Sequence, residues 1–341
     1  MKAAIFKGKG RIDVEQVVKP VPGPGEVLVK VAFCGVCGTD VHIFEGSEGA
    51  AKTTPPTILG HEFSGTVAEV GEGVTELSVD DRVVVDPNNQ CGECYYCRTG
   101  IGHFCEKMIA YGTIQNGGFS EYCAVHRKQV YRLPPDLSLE HAAMAEPVSC
   151  CLHGIDECGI RPGGTVLIIG AGPIGLLMLQ LARMSGAARI IVSEPVEQKR
   201  KLAGRLGADL LIDPKSGHIG EILAGCGVFR IETVIDCVGL PSTMEQAIDL
   251  AGKKSTVMLF GLGAPSDTIR IRPFSLFKNE ITVKSSFTNP YTIGRAIEII
   301  ASGAVKLDDI LVRTVVLEEL ADVLKNPEKR AGGKILVDPT R

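Results

Sequence analysis

The sequence predicts an α/β chain of two domains, one irregular and β-rich, the other a doubly wound parallel sheet with helices on both faces. Three observations carry that expectation. The chain has 341 residues, about two domains at ~100–200 residues each. Its first ~150 residues are broken by Gly and Pro into short, Val-rich runs. From Thr165 onward, apolar runs alternate with amphipathic stretches, as expected of strands covered by helices.

In the first part, Glu26–Phe33, Ser64–Val70, Asp81–Val85 and Phe119–Val125 are bounded by turn residues and read as strands. Pro134-Pro135 breaks the chain, and Leu139–Met144 and Val148–Cys158 have helical spacing. The alternating part opens with a strand at Thr165–Gly170 and a helix at Ile174–Ser185. A strand at Arg189–Ser193 and a helix at Glu197–Leu206 follow. Leu210–Asp213, Thr233–Asp236, Ser255–Phe260 and Ile281–Ser285 continue the strands, with Ser242–Ala251 the clearest helix among them. From Pro290 a tail carries helices near Thr292–Ser302 and Leu317–Leu324 and a last strand at Lys334–Val337. Pattern alone leaves open whether this tail joins the second domain or returns to the first.

Bulk properties exclude several functions. Net charge is −4 and no basic run exceeds Gln198-Lys199-Arg200-Lys201, which argues against nucleic acid or an anionic membrane as partner. The absence of Trp and an aromatic content of 5% argue against platforms for stacking bases. Met1 to Lys9 is too short and too charged for a signal peptide, and no apolar stretch reaches ~18 residues. Twelve cysteines without an export signal are then expected to be reduced thiols or metal ligands in the cytoplasm.

Four of those cysteines fall as Cys91-x2-Cys94-x2-Cys97-x7-Cys105. Thiolates at such separations, with Gly92 and Gly100 letting the backbone fold back, can close a tetrahedral shell around one zinc ion. A four-thiolate shell has no open position, so this zinc is expected to be structural. Catalysis must lie elsewhere.

Gly170-x-Gly172-x-x-Gly175 follows a strand and opens a helix, the context that gives the motif its meaning. Gly170 permits the tight turn, Gly172 lets backbone approach a pyrophosphate, and Gly175 allows close helix–strand packing. Gly172-Pro173-Ile174-Gly175 then forms a helix N-terminus that offers N–H donors to phosphates. Glu194 follows the next strand at about the ~20-residue distance of the acid that holds adenosine ribose hydroxyls. A carboxylate there repels a 2′-phosphate, so NAD is expected over NADP. Lys199 and Arg200, one helical turn on, would soften that preference unless they lie on a solvated face, and Arg200, Val238, Gly261 and Leu262 are expected cofactor contacts.

Three pieces of the first domain remain: Cys37-Gly38-Thr39-Asp40-Val41-His42, Gly60-His61-Glu62 and Glu146-Pro147. Cysteine, histidine and glutamate make a mixed donor set suited to zinc, and three protein ligands leave a position open. Taken singly, each residue has an ordinary explanation as a buried thiol, a loop histidine or a salt-bridge partner. Their combination with a cysteine cluster and a dinucleotide fingerprint favours a second, catalytic metal.

These motifs, with Gly117-Gly118-Phe119-x-Glu121-Tyr122, occur in the order seen in zinc-dependent medium-chain dehydrogenases, and the chain resembles that family over essentially its whole length. The resemblance implies a GroES-like catalytic domain from residues 1–150 and 290–341 around a Rossmann NAD-binding domain at 151–289. It implies that Cys37, His61 and Glu62 hold the catalytic zinc, with Glu146 as a fourth ligand or a partner of the bound water. It also implies that Asp40 orients His61, and that Thr39 and His42 relay a proton to solvent. Two zinc ions per subunit and NAD are the expected cofactors.

Glu62 and the Glu146-Pro147 pair are similar to the polyol (sorbitol-type) and threonine dehydrogenase branch. Ile43 and Thr288 stand where sorbitol-type enzymes commonly carry a tyrosine and an arginine. The stretch Glu146 to His153 resembles the polyol branch, whereas Cys37 to Ile43 and Ser193-Glu194-Pro195 resemble the threonine branch. A secondary alcohol of a polyol or sugar-derived diol is the expected substrate, with L-threonine as the alternative. A non-catalytic NAD- and zinc-binding protein, with Cys150-Cys151 as a thiol switch, is a third reading. The resemblance implies a homo-oligomer, tetramer or dimer, joined at a Rossmann sheet edge, with Ile269–Ile271 and Ser255–Phe260 as candidate contacts.

Overall fold

The computed structural model describes residues 1–47 and 52–341. They form two compact units: Met1–Ser149 with Thr288–Gly303 and Ile310–Arg341, and Cys150–Phe287 with Ala304–Asp309. Among the described residues no helix is long and apolar enough to cross a membrane.

The first unit is β-rich. Lys2–Gly8 pairs antiparallel with Arg11–Gln16 and meets Thr57–Ile58 on its other side. A larger sheet runs in the order Val130–Arg132, Arg82–Val85, Glu62–Val70, Glu26–Gly35, Lys334–Asp338, Leu311–Val316. Tyr122–His126 adds to it along Glu26–Gly35. In that central strand Val27, Val29 and Val31 are sealed in the core, while on the other face Leu28 is also buried and Lys30 reaches solvent, so that face is covered at one end only. The C-terminal tail thus returns to the first unit, with Leu336 opposite Gly35 and Val337 opposite Cys34.

Two short pieces depart from the boundaries expected. Residues 304–309 pack with the second unit, because Gln180 accepts from the Lys306 N–H at 2.8 Å and donates to its carbonyl at 3.4 Å. Thr288 and Asn289 belong to the first unit. There Asn289 is buried, accepts from Asn88 Nδ2 at 2.7 Å and donates to Asp86 Oδ1 at 3.3 Å. Nearby, the Tyr291 hydroxyl donates to Gln90 Oε1 at 3.1 Å. The segment is therefore tied to the strand that leads into the cysteine lobe.

The second unit is a six-stranded parallel sheet in the order Leu210–Ile212, Arg189–Ser193, Thr165–Ile169, Thr233–Asp236, Thr256–Leu259, Thr282–Ser285. Strand order reverses beside Thr165–Ile169, which opens a crevice at the carboxyl ends of the strands, where such sheets bind dinucleotides. Val166, Leu167, Ile168 and Ile169 are all buried, as expected of a strand covered on both faces. Thr256–Leu259 pairs on both sides, so the stretch Ser255–Phe260 is interior and cannot serve as a sheet edge. Ile269–Ile271 lies in no strand. The free edge on that side is Thr282–Ser285.

One helix begins earlier than its pattern suggests. Ala145–Cys158 is continuous, so Glu146 and Pro147 sit in its first turn rather than before it. Proline is tolerated there because the first turn's N–H groups have no intrahelical acceptor.

Candidate metal centres and cofactor cradle

Cys37 ends the loop after the strand Glu26–Gly35 and is the N-cap of the short helix Gly38–Phe44. Asp40 closes this turn by accepting from the Cys37 N–H at 2.8 Å. His61 and Glu62 lie at the start of the neighbouring strand, Glu62 standing opposite Gly35. The fold thus gathers one donor atom each from Cys37, His61 and Glu62, all within 4.8 Å of one another. His61 and Glu62 are buried and Cys37 is half-buried.

This pocket has the character of a cation site. His61 Nδ1 and Asp40 Oδ1 are buried without hydrogen-bond partners. Their separation of 3.6 Å is an ion-pair contact rather than a hydrogen bond. Burial pulls the His61 pKa down, but Asp40 and Cys37 outweigh it and hold the imidazole well above its ordinary value. A thiol, an imidazole and a carboxylate that draw positive charge, with one position left over, fit zinc. Glu146 is buried and lies outside the close trio; its charge reaches Lys334.

Sequence reasoning missed Lys334. Its Nζ donates to Glu62 Oε1 at 2.6 Å and also contacts Oε2. Burial lowers the Lys334 pKa, and its neighbours, Glu62 first and then Cys37 and Glu146, together more than offset this and raise it above the usual lysine value. The signal available was a lone cation opening the apolar run Ile335-Leu336-Val337, which says nothing of a partner 272 residues away.

Thr39 and His42 are half-buried on the helix Gly38–Phe44. Three residues apart, they neighbour one another on the helix surface.

The second cluster is Cys91, Cys94, Cys97 and Cys105, whose sulfurs also lie within 4.8 Å of one another. Gly92 and Gly100 adopt the left-handed region at φ +76° and +82°, which lets the loop double back. Cys94 and Cys97 sulfurs are 3.5 Å apart and those of Cys91 and Cys97 3.9 Å. These values bracket the ~3.8 Å edge of a tetrahedron with zinc–sulfur bonds of about 2.3 Å. The Cys91 sulfur accepts from the N–H groups of Glu93 and Cys94, both at 3.4 Å. Such donors lower the Cys91 pKa, and those of Cys97 and Glu106 bring Cys94 down to about 6. Cys97, desolvated and beside the other thiols, is pushed up to about 12. A dication relieves that crowding of negative charge, so the lobe also fits zinc. Among the described residues no cysteine is in a disulfide.

In the second unit Gly170 takes φ +96° directly after its strand. A Cβ on Gly175 would lie 2.0 Å from the Gly170 carbonyl oxygen, so helix and turn pack backbone to backbone. A Cβ on Gly172 meets nothing within 4 Å. Gly172 therefore faces open space at the N-terminus of the helix Pro173–Met184, whose second residue is Ile174. This is a cradle that fits a pyrophosphate.

Glu194 is buried beside the cradle, accepting from the N–H of Ala171 at 2.8 Å and of Val196 at 2.9 Å. Arg200 is committed to the protein, donating to the Glu194 carbonyl at 2.6 Å and pairing with Asp213 at 2.9 Å. Gly261 and Gly239 interlock, since a Cβ on Gly261 would sit 2.2 Å from the Gly239 nitrogen. Val238 and Leu262, beside them, are exposed.

Comparison with known proteins gives a consistent picture. Residues 23–135 match the alcohol dehydrogenase GroES-like domain, and residues 173–302 match the zinc-binding dehydrogenase family. The chain is 33% identical to D-arabinitol dehydrogenase 1 of Uromyces fabae over 324 residues, covering 94% of this chain and 92% of that protein. It is 37% identical to L-threonine 3-dehydrogenase of Thermococcus kodakarensis over 319 residues, covering 90% and 89%. A crystal structure from Sinorhizobium meliloti, described as a zinc-binding dehydrogenase bound to NADP, superposes with a TM-score of 0.95 at 40% identity, covering 99% of each chain.

Proposed function

The chain belongs to the zinc-binding alcohol dehydrogenase family, and from that premise we propose that it oxidises a secondary alcohol of a polyol or sugar-derived diol to a ketone, with NAD. The observation that carries this reading is the convergence of Cys37, His61 and Glu62 in one buried pocket, separate from the cysteine lobe. Relatives named for arabinitol and sorbitol support the substrate class.

Cys37, His61 and Glu62 would hold the catalytic zinc, with Glu146 nearby, and Cys91, Cys94, Cys97 and Cys105 a structural one. A zinc ion bound in the trio supplies Lewis acidity toward a substrate hydroxyl, and the nicotinamide supplies the hydride acceptor. The chain's own residues bind, orient and move the proton. The Thr39 hydroxyl would accept the proton lost by the substrate while giving up its own, and the His42 imidazole, three residues on along the same helix, would deliver a proton to water. The N–H groups at the start of the helix Pro173–Met184 hold the pyrophosphate. Glu194, fixed by two backbone donors, presents a carboxylate that favours ribose hydroxyls over a 2′-phosphate. The Arg200 guanidinium, already bonded to Glu194 and Asp213, offers little to NADP.

A homo-oligomer is supported by the free edge Thr282–Ser285 beside Phe274 and Phe277, which are 72% and 79% exposed. Work in the cytoplasm is supported by twelve cysteines without a disulfide among the described residues.

L-threonine is the second reading, favoured by relatives that carry that activity at 36–37% identity. The test is NAD and NADP reduction across arabinitol, sorbitol, butanediol and L-threonine, before and after prolonged chelation. Turnover of polyols with NAD, lost on chelation, is the expected result. Turnover of L-threonine alone selects the second reading, and turnover that survives complete metal removal overturns the catalytic metal.

A further inference from the structure

We propose that Lys334 is a positioning residue of the Cys37–His61–Glu62 centre, sharing the Glu62 carboxylate with the metal and so keeping that ligand weak. This rests on the reading of the trio as a metal site.

The geometry is specific. Lys334 reaches both oxygens of Glu62, with Nζ to Oε1 at 2.6 Å. The two side chains are 7% and 1% exposed, so water does not screen the pair. The strand Glu26–Gly35 leaves room for them only because its last residue is glycine. A Cβ on Gly35 would lie 2.0 Å from Glu62 Oε2 and 3.0 Å from Lys334 Cε. Cys37 and Glu146 also lie near enough to bear on the ammonium, so Lys334 belongs to the same cluster of side chains.

A carboxylate whose two oxygens both face an ammonium has less electron density to give a metal, and the ammonium repels a dication directly. Groups one step beyond the ligands tune metals in this way. Removing Lys334 should therefore strengthen Glu62 as a ligand. If Lys334 served only to neutralise a buried acid, its removal would leave the metal no better held.

The experiment uses full-length protein with cobalt in the trio and zinc in the cysteine lobe. It reads the visible cobalt absorption and the rate of cobalt loss to a chelator. Lys334→Met should shift the cobalt bands and slow cobalt loss by about tenfold or more, while Lys334→Arg stays near the parent. In a Glu62→Gln background the same Lys334→Met change should alter neither readout, and this double variant leaves no unpaired buried charge to impair folding.

Gly35→Ala keeps both charges but pushes on Glu62 Oε2, and it should shift the cobalt bands as well. Cobalt lost from Lys334→Met as fast as from the parent, equal slowing in the Glu62→Gln background, or unchanged bands in Gly35→Ala would overturn the proposal. Parent protein that binds metal only at the cysteine lobe would instead remove the metal reading itself. Two bound metals with an indifferent Lys334 would remove this inference alone.

Discussion

Two glycines at the start of one helix, Gly172 and Gly175, separate binding from stability in the proposed phosphate cradle. Alanine at Gly175 places a Cβ 2.0 Å from the Gly170 carbonyl oxygen, where ordinary contacts start at 3.4 Å. Backbone must then shift by about 1.4 Å, the difference of those two distances, and overpacking of this kind costs roughly 1–3 kcal/mol. At about 2–4 °C per kcal/mol for domains of ~150–250 residues, the unfolding midpoint should fall by roughly 2–12 °C.

Alanine at Gly172 is different. Its φ of −72° and ψ of 179° suit any residue, and its Cβ meets nothing within 4 Å. Loss of a glycine N-cap costs about 0.5–1 kcal/mol, and the lower entropy of the unfolded chain returns ~0.4–1 kcal/mol, so stability should hardly change. Its methyl group instead fills the space needed by the pyrophosphate and should weaken NADH binding by about tenfold or more, ~1.4 kcal/mol. Thermal unfolding without cofactor and fluorescence titration with NADH read the two effects separately. A Gly172→Ala protein that binds NADH like the parent would refute the assignment of the cradle.

The two proposed metal sites should respond differently to loss of one thiol. Cys37→Ser should lose one of two metals and at least ~100-fold in turnover while keeping its unfolding midpoint, whereas Cys94→Ser should lose stability or assembly first. Metal content, activity and thermal unfolding of both variants check this, and identical behaviour would refute the separation of roles. Asp86 gives a pH dependence. Burial, opposed by hydrogen bonds from Asn88 and Asn289, raises its carboxyl from 3.8 to about 6. Its folded pKa exceeds the unfolded one, so its stabilising contribution is complete below pH ~4 and is lost as pH rises through ~6. The gap corresponds to about 3 kcal/mol. Asp86→Asn should flatten the stability profile between pH ~4 and ~7 relative to the parent, measured by denaturant midpoints; parallel profiles would count against it.

What could be read from sequence were features encoded locally. Gly170, Gly172 and Gly175 are informative because a left-handed turn, an open approach and a close backbone contact fall within six residues, and the structure places them at one turn. The cysteine lobe is similar, since Cys91 to Cys105 span 15 residues and the intervening glycines reverse the chain. Cys37 and His61 were weaker signals individually, because an isolated thiol or imidazole has many ordinary uses. The Lys334–Glu62 pair was invisible, for no local pattern links residues on two strands that meet only because both pair with Glu26–Gly35. Residues 304–309 were misplaced for a like reason: what holds them is the Gln180 side chain, on a helix distant in sequence. Glu146 and Pro147 fall outside the helical pattern that starts at Val148, although the helix runs from Ala145 and a first turn accepts proline.

The position of Lys334–Asp338 between Glu26–Gly35 and Leu311–Val316 has a consequence for biosynthesis. At about 5–20 residues per second, the ribosome delivers this strand roughly 15–60 s after Gly35 has emerged. Until then, Glu62 lacks the cation that partners it in the finished fold. Metal captured during that interval would meet a more anionic, less selective pocket than the finished protein offers. With the trio read as a metal site, its completion waits on the last strand, and a nascent chain stalled before Lys334 should take up metal there on different terms from the released one.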